Sequence, residues 1–158
     1  MKGKKRDMQR SKAYAAERLC LGITSQPMMR FMDLSIWLRG IGKKYNVDVF
    51  VKDGRGRRKP SCGWYPTSRG IEAIIKIPRF ARNKIIAMHE LAHAIARDDP
   101  IHGRKWANTF LMLVKKHVGY HEWAVLRSCM KGCRVKWITH NAPKSQVLRK
   151  EEGGLVWE

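Results

Sequence analysis

The 158-residue sequence contains the segment HELAH at positions 89–93, which matches the pattern His-Glu-x-x-His. On a helix, His89 and His93 lie one turn apart on the same face, so both imidazoles can bind one ion. Zinc in catalytic sites takes three protein ligands and keeps a fourth position for water. Glu90, next to the first histidine, is the candidate general base that accepts a proton from that water. The spacing therefore predicts a hydrolase that holds Zn2+, with a single ion per chain.

A third ligand has to come from outside this segment, and His102 is the favoured candidate. The DDP segment at positions 98–100 ends the predicted helix, so the chain can turn back toward the metal. Gly103 then lets the backbone come close to the ion. The other candidates for the third ligand are His117, His121, Asp98, Asp99 and Glu122. Either aspartate is alternatively a candidate to orient a ligand imidazole.

The elements that have to position these residues are predicted from hydrophobic periodicity. The segment 82–96 is expected to be an amphipathic helix that carries the motif. The residues expected to pack behind the metal are Ile85, Ile86, Leu91, Ala92 and Ile95. Helices are also predicted over about 104–117, ended by Gly119, and over about 121–131. Alternating apolar residues predict strands over 46–52 and 71–77. The second strand is the candidate edge strand that pairs with an extended substrate.

The N-terminal part is predicted to contain two helices. The first is a short one over 11–19. Ser25, followed by Pro27, is a start signal for the second, which is expected over about 28–45. Four apolar residues of the second helix fall near one face at helical spacing and are expected to pack together. They are Met29, Met32, Ile36 and Trp37.

Length and composition favour one domain with a sizeable core, since 44% of the residues are hydrophobic. The expected organisation is a basic N-terminal arm over 1–12, a folded domain over 13–137 and a polar C-terminal tail over 138–158. The N-terminus has no pattern of a signal peptide, and no stretch is long and apolar enough for a membrane span. We therefore expect a cytoplasmic protein with reduced thiols and no membrane partner.

The net charge of +20, from 33 Lys and Arg against 13 Asp and Glu, favours a polyanionic partner, chiefly nucleic acid. Aromatic residues lie near the basic clusters, which suits contact with phosphates together with base stacking. The Gly-containing loop over 53–63 is the best candidate segment. The candidate contacts for non-specific nucleic-acid binding are Lys43, Lys44, Arg55, Arg57, Arg58 and Lys59.

Two of the four cysteines, Cys129 and Cys133, lie one helical turn apart. Together with His117 and His121 they have the residue types of a second zinc site. Because Gly119 interrupts the two histidines and such spacing arises easily by chance, buried or idle thiols are the favoured interpretation.

The segment HELAHAIARDDPIHGRKW, residues 89–106, resembles the SprT-like and Spartan-like zincins. Their third ligand stands in a His-Gly-x-x-aromatic element, here HGRKW at 102–106. Residues 9–17 and 124–137 resemble a small family of metallohydrolases from actinobacteria and their phages, so the resemblance covers about residues 8–137. It implies a zincin-like α+β fold, a small mixed sheet packed on helices, and peptide-bond hydrolysis. It also implies that His89, His93 and His102 are the zinc ligands and Glu90 the base.

The chain departs from the best-known SprT-like proteins, whose substrates are proteins attached to DNA, because it lacks the paired CxxC units of their C-terminal zinc ribbon. The ImmA/IrrE-like peptidases, which cleave repressors, are a second group with some resemblance, in the segment WANTF at 106–110. Those enzymes use a glutamate ligand in that helix, whereas this chain has the basic segment RKW at 104–106.

The favoured function is a zinc metallopeptidase that cleaves proteins associated with nucleic acid in a bacterial or phage-infected cell. Three alternatives stay open: a non-catalytic zinc-containing nucleic-acid-binding protein, an ImmA/IrrE-like regulatory peptidase, and a hydrolase with a non-peptide substrate. Glu90 discriminates against the first alternative, since a purely structural zinc site has no use for a carboxylate beside its ligand.

Overall fold

The computed structural model of the chain describes residues 6–68, 70–97 and 101–138. Over these ranges it has an α+β fold with five α-helices and a three-stranded mixed sheet, which confirms the predicted class. The elements, in chain order, are α1 (Arg10–Thr24), α2 (Phe31–Lys44), β1 (Asp48–Asp53), β2 (Ser61–Thr67), β3 (Gly70–Ile77), a 3-10 turn (Arg79–Ala81), α3 (Lys84–Ala96), α4 (Arg104–His117) and α5 (Tyr120–Gly132). The predicted tail lies outside the described residues apart from Ile138.

The sheet has the strand order β1-β3-β2, with β1 parallel and β2 antiparallel to β3. Alternation along the strands buries one face, as for Val49 and Val51 on β1 and for Ala73 and Ile75 on β3. The expectation that 71–77 is an edge strand is wrong, because β3 pairs on both sides. Hydrophobic alternation identifies a strand but does not reveal its place in the sheet.

Strand β2 was not predicted, and the loop expected over 53–63 ends where this strand begins, at Ser61. Gly63 and Pro66 weaken the strand pattern in the sequence, since both residue types are unfavourable inside a sheet. They are accommodated because β2 pairs only with β3 among the described strands. The outer side of β2 is therefore an edge, where a proline is tolerated.

Helix α3 lies in the middle of the fold and contacts α1, α2, α4, β2 and β3. Ten of its thirteen residues are buried. The helix was expected to be amphipathic, but it is surrounded by protein on nearly all sides. This agrees with its composition, because apolar residues occur around its whole circumference. Ile85, Leu91 and Ala92 are buried as predicted, whereas Ile86 and Ile95 are only partly buried against the core. The motif therefore sits in the core and not on a surface helix.

The N-terminal helices differ from the prediction in their boundaries and faces. Ser25 does not start α2; it ends α1 in a left-handed conformation (φ 48°), and its N–H donates to Leu21 O. The chain then runs extended before α2, and Met29 N donates to Arg82 O at 2.7 Å. Of the four residues expected on one face, Met29 and Trp37 are partly buried against the core, but the other two are not. Met32 and Ile36 are each 65% exposed, whereas Leu34, Leu38 and Ile41 are buried on the other face.

Within the described ranges, none of the helices combines the length and the apolar character that a bilayer span requires.

Gly42 offers a test of the contact between α2 and β1. A Cβ at this position would lie 2.5 Å from Val49 Cγ2 and 2.8 Å from the backbone oxygen of Val47. Because backbone cannot move aside cheaply, we expect Gly42→Ala to destabilise the protein by about 1–3 kcal/mol. Chemical denaturation, monitored by circular dichroism, measures this change.

Gly40 is the matched control, because it lies in the same helix and a Cβ there meets nothing within 4 Å. We expect Gly40→Ala to stabilise the protein by about 0.5–1 kcal/mol, since alanine is the better helix former. Equal effects of the two substitutions would contradict the close packing of α2 on β1.

Candidate metal centre

Helix α3 holds three of the predicted site residues in a fixed register. Asn83 caps its start by accepting a hydrogen bond from Ile86 N at 2.9 Å. His89 and His93 follow one turn apart, and with Glu90 they are almost fully buried, at 1%, 7% and 2% exposure. Burial of three ionisable side chains on one helix is unusual and calls for partners or a ligand.

His102 reaches the same place from the turn that precedes α4, and it is 4% exposed. One ligand atom from each of His89, His93 and His102 lies within 4.8 Å of the other two. The Nε2 atoms of His89 and His102 are 3.4 Å apart. This matches the separation of about 3.3–3.4 Å between two nitrogens that bind one tetrahedral zinc at about 2.0–2.1 Å. The three histidines are therefore close enough to bind a metal ion.

Two carboxylates orient the imidazoles. Glu17 on α1 accepts a hydrogen bond from His89 Nδ1 at 2.6 Å, and Asp7 accepts one from His102 Nδ1 at 2.7 Å. A carboxylate that accepts from Nδ1 leaves the Nε2 lone pair free toward the cluster. When both rings are neutral, two lone pairs face each other at 3.4 Å, and a cation between them, either a proton or a metal ion, removes their repulsion. Paired carboxylate and imidazole groups of this kind are the usual support of metal-binding histidines.

One face of α1 and the residues before it provide these carboxylates. Asp7, Tyr14 and Glu17 follow at spacings of seven and three residues, which places them on one side of a helical path. The Tyr14 ring stacks on His89 and is tilted against His102, with both centroid distances at 5.4 Å. The Gln9 side chain donates to His102 O at 2.9 Å. Residues 6–12, expected to belong to a basic arm, thus contact the site in the structure.

Trp106 forms the wall of the site on the α4 side and is fully buried. Its ring stacks on His93 at 5.3 Å and meets the edges of His89 and His102 at 4.8 and 4.7 Å. Phe110, one turn further along α4, packs edge-on against His89. These aromatic groups exclude water from one side of the cluster, which strengthens electrostatic interactions within it.

Burial shapes the acid–base properties of the cluster. It lowers the pKa of His93 to about 2, and the positive forms of His89 and His102 act in the same direction. It also lowers the pKa of His102, against the effect of the hydrogen bond that His102 donates to Asp7. For His89, burial is outweighed by the charge and hydrogen bond of Glu17, so its pKa is raised. The lowered pKa values of His93 and His102 favour the neutral form that a metal ligand requires.

Glu90 has a different environment from the two orienting carboxylates. Burial raises its pKa to about 7, against the effects of His89 and Lys59, which favour the ionised form. Among the described residues, no hydrogen-bond or ion-pair partner is found for its carboxylate. A general base is most effective when its pKa lies near the working pH.

The remaining candidate ligands lie elsewhere. His117 shares a hydrogen bond of 2.9 Å with the Tyr45 hydroxyl, and His121 is exposed on α5. Glu122 accepts a hydrogen bond from Gln26. Asp98 and Asp99 lie outside the described residues. In the part of the chain that the structure describes, the three histidines are the only cluster that could hold a metal, so the second zinc site with Cys129 and Cys133 does not form there.

The predicted nucleic-acid contacts separate into two groups. Lys43 and Lys44 are exposed at the end of α2, where Lys44 helps to lower the pKa of His117. The other four are exposed on the loop between β1 and β2. Within this loop, Lys59 lies near Glu90, whereas Arg55 and Arg57 face the 3-10 turn.

Asp7, Tyr14 and Glu17 were not predicted from the sequence as site residues. A weak signal existed, since Asp7 and Glu17 are the only acidic residues among the first 32. Their distance along the chain from His89 and His102 hides the pairing, because 72 and 95 residues separate the partners.

No protein-family model, no curated protein and no solved structure matches this chain.

The orienting carboxylates give a test of the metal centre. We expect Asp7→Asn and Glu17→Gln each to weaken zinc affinity by about 10–100-fold, because an amide supports a metal-binding imidazole less well than a carboxylate. Competition with a chromophoric zinc chelator at fixed pH measures the affinity, and wild type should bind about one zinc per chain.

Asp33→Asn is the control, since Asp33 is exposed on α2 and lies outside the cluster. It removes the same charge and should leave zinc affinity unchanged. If Asp33→Asn weakened binding as much as Asp7→Asn, the effect would reflect net charge and not orientation of the imidazoles.

Proposed function

We propose that the protein is a zinc-dependent metallohydrolase in which His89, His93 and His102 bind the metal and Glu90 acts as the general base. The observation that carries this proposal is the position of Glu90, a carboxylate at 2% exposure beside three converging imidazoles. A structural metal site would be more stable with an apolar residue there, because a carboxylate is costly to bury. Such groups are typical of sites that perform chemistry.

Zinc is the metal that fits the donor set best. The three ligands are neutral nitrogens, and no thiolate or fourth protein ligand joins them among the described residues. This is the pattern of catalytic zinc sites, which leave one position open. When bound there, zinc supplies a Lewis acid that activates water and polarises a carbonyl group.

Glu90 is suited to move the proton in this reaction. Its raised pKa lets it accept a proton from the attacking water and pass it to the leaving group. Lys59 favours the ionised form that acts as the base. Asp7 and Glu17 hold His102 and His89 in the orientation that ligation requires.

A peptide substrate is favoured by the edge of β2. The Glu90 charge contributes to the raised pKa of Cys62, so the start of β2 lies near the candidate base. No strand pairs with the outer side of β2 in the described ranges. An extended peptide can add to such an edge through backbone hydrogen bonds and so pass beside Glu90. The substrate strand that the sequence led us to expect at β3 is therefore assigned to β2.

The segment HGRKW resembles the third-ligand element of the SprT-like zincins. This resemblance favours a SprT-like peptidase with His102 as the third ligand. Helix α4 contains no acidic residue, which disfavours the glutamate ligand of an ImmA/IrrE-like peptidase. The net charge of +20 favours a substrate that is associated with nucleic acid. The proposed activity is therefore hydrolysis of proteins close to nucleic acid.

The decisive variant is Glu90→Gln. We expect it to retain about one zinc per chain and to lose hydrolysis of a fluorescently labelled unfolded protein by about 10²–10⁴-fold or more, because the amide cannot accept the proton. Release of labelled peptides, with and without single-stranded DNA, measures the activity, and atomic absorption measures the zinc.

Glu72→Gln on β3 is the control and should retain activity, since Glu72 is a partly exposed carboxylate outside the site. An active Glu90→Gln enzyme would refute the role of Glu90 as base. A wild-type protein that binds zinc without hydrolysing any protein or peptide tested would favour a structural role for the metal.

A further inference from the structure

Two adjoining cavities lie beside the 3-10 turn, at the end of the sheet where β1 and β3 finish. Their volumes are about 510 and 690 Å3. Both are lined by Arg79, Phe80 and Arg82. The first also includes Arg55 and Arg57 from the loop after β1, and the second includes Arg30 and Met28 from the segment before α2. We call this pair of cavities the arginine cleft.

The loop arginines are held against this cleft by the backbone. Gly54 N donates to Ile77 O at 3.1 Å, and Arg57 N donates to Gly54 O at 2.9 Å. A Cβ on Gly54 would lie 2.6 Å from Pro78 N, so only glycine allows the loop to pass this close. The extended segment before α2 is fixed through Met29 N and Arg82 O. Three separate stretches of chain therefore bring arginines to one place.

The charge of the cleft is almost entirely positive. Asp53 is the only acidic residue of its lining, and it is neutralised by an ion pair with Arg82 at 3.0 Å. In the described part of the chain, no carboxylate lies within ion-pair distance of Arg55, Arg57 or Arg79. The buried Nε atom of Arg82 has no hydrogen-bond partner there. A bound anion relieves the mutual repulsion of such converging charges.

Apolar groups stand beside these charges. The Phe80 ring is 62% exposed and the Met28 side chain 53%. Phe80 lines both cavities, together with Arg79 and Arg82. An exposed aromatic ring among guanidinium groups is the combination that single-stranded nucleic acids require, with bases stacked on the ring and phosphates bound by the arginines.

We propose that the arginine cleft binds a short stretch of single-stranded nucleic acid, with backbone phosphates on Arg55, Arg57 and Arg79 and a base stacked on Phe80. A duplex offers phosphates but no free base face, so it can use only part of the cleft. The inference rests on the nucleic-acid partner of the proposed function and specifies its form. It does not require hydrolysis at the metal centre, because Phe80 and the arginines lie outside the cluster of histidines.

The test measures fluorescence anisotropy of the full chain with a labelled oligothymidylate of about 12 nucleotides, and with a duplex of the same length, across a salt series. We expect Arg79→Glu to weaken binding of both by about 10-fold or more at low salt and to reduce the salt slope by about 1. We expect Phe80→Ala to weaken binding of the single strand by about 5–150-fold and to leave the duplex nearly unaffected.

Lys131→Glu is the matched control, since Lys131 is exposed on α5 and lines neither cavity. It makes the same charge change as Arg79→Glu and should have a much smaller effect. Equal losses for the two variants, or no preference of wild type for the single strand, would overturn the proposal. The proposal would also be overturned if wild type and Phe80→Ala bound the oligonucleotide with equal affinity and heparin abolished both complexes equally. That result would indicate a surface that binds any polyanion.

Zinc content and far-ultraviolet circular dichroism of each variant exclude misfolding. Glu90→Gln should bind the oligonucleotide as wild type does. An inactive wild type that still prefers the single strand would refute the proposed hydrolase and leave the cleft intact. A fully active enzyme that shows no preference for the single strand would refute the proposed role of the arginine cleft and leave the proposed hydrolase intact.

Discussion

Two imidazole nitrogens, Nε2 of His89 and Nε2 of His102, face each other at 3.4 Å inside the protein. Their Nδ1 atoms are already committed to Glu17 and Asp7, so neither ring can turn away without losing a short hydrogen bond to a carboxylate. A positive charge between the two nitrogens removes the repulsion of their lone pairs. The two hydrogen bonds to Glu17 and Asp7 therefore fix the orientation of both rings, on which the proposed chemistry depends.

Helix α1 provides one of these hydrogen bonds and covers both rings. This helix packs on α5 and α3, which places Glu17 against His89, while Tyr14 covers both imidazoles. The preceding residues are fixed by Gln9, which bonds to His102 O and to the backbone of Lys136. The N-terminal residues and the stretch after α5 are thus tied to the turn that carries His102. Local changes in either segment are therefore expected to act on the orientation of the His102 ring.

Charge is sorted between the interior and the surface. The chain has only 13 acidic residues against 33 Lys and Arg, yet Asp7, Glu17 and Glu90 all surround the cluster of histidines. These carboxylates favour a divalent cation in the core, whereas the exposed arginines favour an anion outside it. The loop between β1 and β2 connects the two environments, since Lys59 lies near Glu90 and Arg55 lies in the arginine cleft. A basic protein can therefore hold a cation and an anionic partner at separate places.

The sequence by itself determined what local patterns encode. Helical spacing places His89 and His93 on one side of α3, and period-two alternation identifies β1 and β3. The HGRKW element indicated His102, which the structure brings beside both. Local patterns did not determine partners that are distant along the chain or positions within the sheet. Only the tertiary structure paired Asp7 and Glu17 with the imidazoles, placed β3 between β1 and β2, and joined Arg79 to the loop arginines. The physical reason is that such contacts depend on how separate elements pack against one another, which no single stretch of sequence specifies.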